Sequence, residues 1–174
     1  RNSKFKIDFI NRYADLINTT FLPSNMLPIM HQFQDSMAYD MPEHFAKWGS
    51  NMTAWQNNIN VVRNFINLRA DTARSQIRDE FGLQGKVLLT LNVSPANAGR
   101  IQISTVTPET YPWSGVYFNG NPVTITAIPN PGFTFNHWSS PIVIGGNDPN
   151  QVATYNFSDT DVVTAHVTGS AVTP

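Results

Sequence analysis

Through the first half of the chain, apolar residues recur at intervals of three and four. Phe5, Phe9, Ile10, Tyr13, Leu16 and Ile17 make one such stripe, the pattern of an amphipathic helix. Pro23 and Ser24 open a second helix, whose inner face is predicted from Met26, Leu27, Met30, Phe33 and Met37. Pro28 lies close enough to its start that the missing N–H costs little. Asp40, with Glu43 three residues later, has the form of a capping box for a short third helix through His44, Phe45 and Trp48, closed by Gly49. Thr53 with Gln56 repeats the box ahead of Trp55, Ile59, Val62, Phe65 and Ile66, and Trp48 and Trp55 are assigned to the core. A break is expected near Leu68–Asp71, with Asp71 capping a last helix through Ala73, Ile77 and Phe81 before Gly82. This gives about four to five helices over residues 1–83.

Beyond Lys86 the period drops to two. Val87, Leu89, Leu91 and Val93 alternate with other residues, followed by Ile101 and Ile103, then by Val123, Ile125 and Ala127. Asn119-Gly120, between Gly115–Phe118 and Pro122–Thr126, predicts a tight hairpin turn because both residue types tolerate positive φ. Further strands are read at Phe133–Trp138, Gln151–Phe157 and Val162–Val167. About seven short strands separated by turn residues predict a β-sandwich-like module over 87–174, with a barrel as the open alternative. The fold class is therefore α+β with the two kinds of element segregated.

Composition narrows the function classes. A net charge of -1 and a pI near 6.4 leave no basic footprint, so neither nucleic acid nor an anionic membrane is expected as a partner. Lys and Arg concentrate before position 87, with Arg100 the only one beyond it. The absence of cysteine excludes disulfides, thiol nucleophiles and thiolate metal sites. No apolar run approaches the ~20 residues of a membrane span. The chain begins with Arg1 and not Met, from which a longer parent protein is expected.

Three stretches carry a resemblance: Phe9 through Phe21 with Pro23, Met41 through Trp48, and Trp55 through Phe65 with Arg69. Together they resemble the C-terminal helical part of the CotH kinase family, the spore-coat-type, atypical kinase-like bacterial proteins. The segments Gly99–Ile103, Gly120–Ala127 and Gly132–Trp138 resemble divergent internalin B-repeats. The resemblance implies a bacterial protein, extracellular or on the cell surface. Its partners would be an upstream domain of the same polypeptide and a surface protein or polysaccharide. The family's nucleotide-binding lysine and metal-binding acids have no match here, so no catalytic residue, no cofactor and no enzymatic activity are expected of this segment. Neither GxxxxGK[ST] nor GxGxxG occurs.

Single residues add little catalytic chemistry. His31, His44, His137 and His166 form no HxxxH pair, so no metal site is expected. Asn147, Asp148, Asn150, Asp159 and Asp161 carry oxygens suited to calcium, but turn formation accounts for the same residues. The aromatics Tyr111, Trp113 and Trp138 are the candidate carbohydrate-binding residues, as rings on which sugars could stack. Against them stands the general tendency of large aromatics to fill cores.

Overall fold

The computed structural model describes residues 2–144 and 146–171. Four helices come first: α1 (Ser3–Asn18), α2 (Pro23–Ala38), α3 (Met41–Trp48) and α4 (Met52–Phe81). Eight strands follow: β1 (Gly85–Ser94), β2 (Gly99–Ile103), β3 (Trp113–Asn119), β4 (Val123–Pro129), β5 (Phe133–Ser139), β6 (Asn147–Asp148), β7 (Val152–Tyr155) and β8 (Asp161–Gly169). The architecture is α+β and segregated, as the change of period implies. Helix α4 runs unbroken past Asp71, which pairs with Arg74 at 3.2 Å on the helix instead of capping a new one. Its cap is Asn51, whose Oδ1 accepts from the Ala54 N–H at 2.9 Å, so the expected Thr53 box lies two residues too late. Asp40 makes no side-chain cap bond. Gly82, at φ 63°, ends α4 as expected.

The chain forms two compact units, one of Arg1–Asp15 with Ile77–Pro174 and one of Leu16–Gln76. In the first, the strands make a five-stranded sheet in the order β3-β1-β8-β5-β6 and a three-stranded sheet β2-β4-β7. Strand β1 pairs antiparallel with β3 and parallel with β8. Alternation sends Leu89, Leu91, Ile101, Ile125 and Val163 into one shared core, where each is fully buried. The Asn119-Gly120 turn joins no hairpin. Gly120 does adopt φ 89°, but β3 and β4 belong to different sheets, so the turn carries the chain from one sheet to the other. Asn121, just beyond it, is buried and donates to Asn11 Oδ1 at 2.8 Å.

The first helix is built into this core. Ile10 and Ala14, fully buried, pack in the same cluster as the strand residues, and Ile77 joins them. One helical turn apart, Asn11 and Asp15 point the same way and meet polar partners. Asn11 Nδ2 donates to the Pro122 carbonyl at 2.8 Å. Asp15, with no exposure at all, accepts from the Tyr117 hydroxyl at 2.7 Å, from Thr105 N–H at 3.0 Å and from Thr105 Oγ1 at 2.7 Å. A carboxyl group removed from water is tolerated only when donors meet its oxygens, and here they do.

The second unit buries Ile17, Ile66, Ala70 and Ala73 together with Asn18 and Arg74, whose Nη2 donates to Asn18 Oδ1 at 3.0 Å. Helices α2 and α3 contribute no buried residue. The expected inner face of α2 is only partly covered: Met26, Leu27 and Met30 are half-buried, whereas Phe33 is 63% exposed, and Trp48, expected in the core, is 68% exposed. Helical spacing identifies a face that favours burial; it does not supply the partner.

Tyr117→Phe removes a hydroxyl donor to the buried Asp15 carboxyl and is expected to lower unfolding free energy by about 1–3 kcal/mol in urea denaturation. Lys4→Ala, at the solvent-exposed Lys4–Asp8 ion pair, is expected to leave the midpoint unchanged.

Candidate functional site

The β unit carries an open, mainly polar cleft of about 480 Å³. Asn92 at the end of β1, Asn97 in the following turn, Arg100 on β2, Glu109 and Tyr111 in the loop before β3, and Asn130 after β4 line it. The local folding that shapes the cleft is specific. Asn97 sits at φ 64°, and its carbonyl accepts from Asn130 Nδ2 at 2.8 Å. The Tyr111 hydroxyl accepts from the Ile101 N–H at 2.6 Å and donates to the Ile101 carbonyl at 3.2 Å, which ties the loop to β2. Burial pushes the Tyr111 hydroxyl pKa up, against the opposing pull of the Ile101 bond and the Arg100 charge. Side-chain amides, one cation, one carboxylate and an aromatic ring form a lining suited to a neutral, hydroxyl-rich ligand.

The three aromatic candidates do not make one surface. Tyr111 lines the cleft. Trp113, half-buried on β3 opposite Leu91, packs against the core. Trp138 is fully buried on β5, and its Nε1 donates to the Asn150 carbonyl at 2.9 Å, so its ring offers no face to a sugar. The spacing of Phe133, Phe135 and Trp138 fits no single strand parity because a bulge lies between Phe135 and His137. With that extra residue, Phe135 and Trp138 approach to 5.2 Å between ring centroids.

The acidic turn residues are occupied by their own loops. Asp148 accepts from the Tyr155 hydroxyl and from the Asn150 N–H, and these bonds, the tyrosine's first, hold its carboxyl below the usual range. Tyr155 is pushed well above the ordinary tyrosine pKa by burial and then by Asp148. Buried Asp161 accepts from Val143 N–H at 3.1 Å and Val162 N–H at 2.8 Å, anchoring the segment after β5 to the start of β8.

One pairing escapes any search for local spacing. His137 on β5 and His166 on β8 stack across the strands, 4.4 Å between ring centroids. Burial, and then the neighbouring His137, lower the His166 pKa. His31 and His44 lie exposed on α2 and α3. Among the described residues no group of three or more His, Cys, Asp or Glu side chains converges.

Residues 1–73 match the family model described as CotH kinase protein, and residues 89–168 match that of the divergent InlB B-repeat domain. A stretch similar to CotH thus precedes one similar to a divergent InlB B-repeat. No curated protein and no solved structure matches it. The CotH match includes all of α1, although α1 up to Asp15 packs in the core that the B-repeat strands build. The cleft, by contrast, is formed wholly by B-repeat residues. No helix among the described residues is long and apolar enough to cross a membrane.

Proposed function

We propose that the CotH segment is a non-catalytic, buttressing part of a kinase-like domain, and that the B-repeat is a spacer or interaction module outside the cell. The observation that carries this is the open apolar surface of the helices. Phe33, Trp48, Val61, Phe65 and Leu68 are each about 60% exposed or more, on helices whose sequence periodicity favours burial. A soluble protein rarely leaves so many large apolar side chains in water without a covering partner. The remainder of the kinase-like domain, in the same polypeptide, is the occupant that the family match supports. Nucleotide binding and phosphotransfer would then reside in that remainder. Acrylamide quenching of Trp48, taken as the difference between the chain and its Trp48→Phe variant, tests this. Quenching is expected to fall, and emission to shift to the blue, when the chain is part of a polypeptide containing the whole kinase-like domain. Equal quenching in both contexts, or phosphotransfer by the chain alone, overturns the reading.

A second reading, carbohydrate binding, is favoured by the polar cleft around Tyr111. It requires Tyr111 and the amide and charged groups beside it, without Trp138. Amide chemical shifts of Asn97, Arg100 and Glu109 are expected to move on titration with soluble glucans or cell-wall polysaccharides, and Arg100→Ala is expected to weaken the effect. Unmoved shifts with every glycan overturn it.

A further inference from the structure

We propose that His137 and His166 form a binding site for one borderline divalent transition-metal ion of the Zn²⁺ class, with water completing its coordination. The site is a product of the bulge. Between Phe133 and Phe135 the register pairs Phe135 with Val167, and continued unchanged it would set Asn136 opposite His166. The bulge inserts Asn136 as the extra residue and brings His137 opposite His166 instead. Bulges re-aim side chains in this way and recur beside functional sites. The next pair on the same strands, Trp138 and Ala165, faces the core, so the two histidines lie on the outer face of the sheet, both half-buried.

The surroundings favour a metal over a charge partner. The rings lie within 16° of parallel, and Ser139 Oγ, 2.8 Å from His166 Nε2, orients one of them. The residues flanking them on this face, Ser94 on β1, Thr164 and Thr168 on β8, and Thr134 and Ser139 on β5, carry no ionisable side chain. Each histidine is thus the titratable group the other faces in this ladder. A neutral imidazole keeps one nitrogen lone pair that can ligate a metal ion, and two such rings lie side by side here. Rotation of the rings about their Cβ–Cγ bonds can turn one nitrogen of each toward a common point. Imidazole nitrogens suit Zn²⁺, Ni²⁺ and Cu²⁺, whereas Ca²⁺ and Mg²⁺ require oxygen ligands. Bound metal would clamp β5 to β8 at the place where the bulge interrupts their ladder.

Calorimetric titration of the full chain, free of any histidine tag, with Zn²⁺ at neutral pH tests the site. One Zn²⁺ per chain is expected, with a rise in Tm, because a ligand that binds only the folded state stabilises it. His137→Gln and His166→Gln are each expected to weaken binding about tenfold or more, while His31→Gln and His44→Gln leave it unchanged. Excess Ca²⁺ should not compete. In the unsubstituted chain, Zn²⁺ should shift the imidazole proton signals of His137 and His166 only, a readout independent of how the variants fold. No saturable binding, binding that survives His137→Gln, or imidazole shifts confined to His31 or His44 overturns the proposal.

Discussion

The buried carboxyl of Asp15 is the constraint around which the β unit is organised. It lies on a helix within the CotH match, and it accepts hydrogen bonds from Tyr117 on β3 and Thr105 after β2, both within the B-repeat match. Leaving such a group without its partners costs more than any single apolar contact beside it, because water cannot replace them. The geometry is demanding in a way that apolar burial is not, since both carboxylate oxygens must meet donors at hydrogen-bond distance. Helix α1 is thereby held at one rotation and one depth, with Ile10 and Ala14 inward and Asn11 and Asp15 at the polar contacts. The packing boundary consequently falls at Asp15 and Ile77, while the family matches divide near residues 73 and 89.

The helical unit shows the opposite balance. Its four buried apolar residues are few against the large side chains that α2, α3 and α4 leave open. Helix propensity and capping make these helices locally favourable, but tertiary packing supplies most of a helix's stability. A kinase-like domain that covers the open faces would add the missing burial, so the same observation bears on stability and on role.

Wherever a local rule decides the outcome, the sequence was legible. Strict alternation in Val87, Leu89, Leu91 and Val93 predicts a strand with one buried face, and β1 has that pattern. The change of period near Lys86 marks where helices give way to strands. Longer-range facts were not legible. Gly120 takes the positive φ its type allows, yet whether the flanking strands pair depends on distant partners, β1 for one and β2 and β7 for the other. Trp48 shares the spacing of a core residue, but its exposure depends on what else is present to cover it. The cleft around Tyr111 and the His137–His166 pair join residues from separate strands and loops, and the histidine pair also needs a bulge that no composition rule marks. Trp138 was readable both as a stacking ring and as a core plug, and burial decides for the core.

Native-state hydrogen exchange along α1 tests most directly whether this helix is part of the β unit. Amides of Ile10 to Asp15 are expected to exchange with the same opening free energy as those in the middle of β1 and β8, since all of them would be released by one cooperative unfolding of a shared core. Exchange of the α1 amides at markedly lower free energy than the strands, with β1 and β8 still protected, would contradict it.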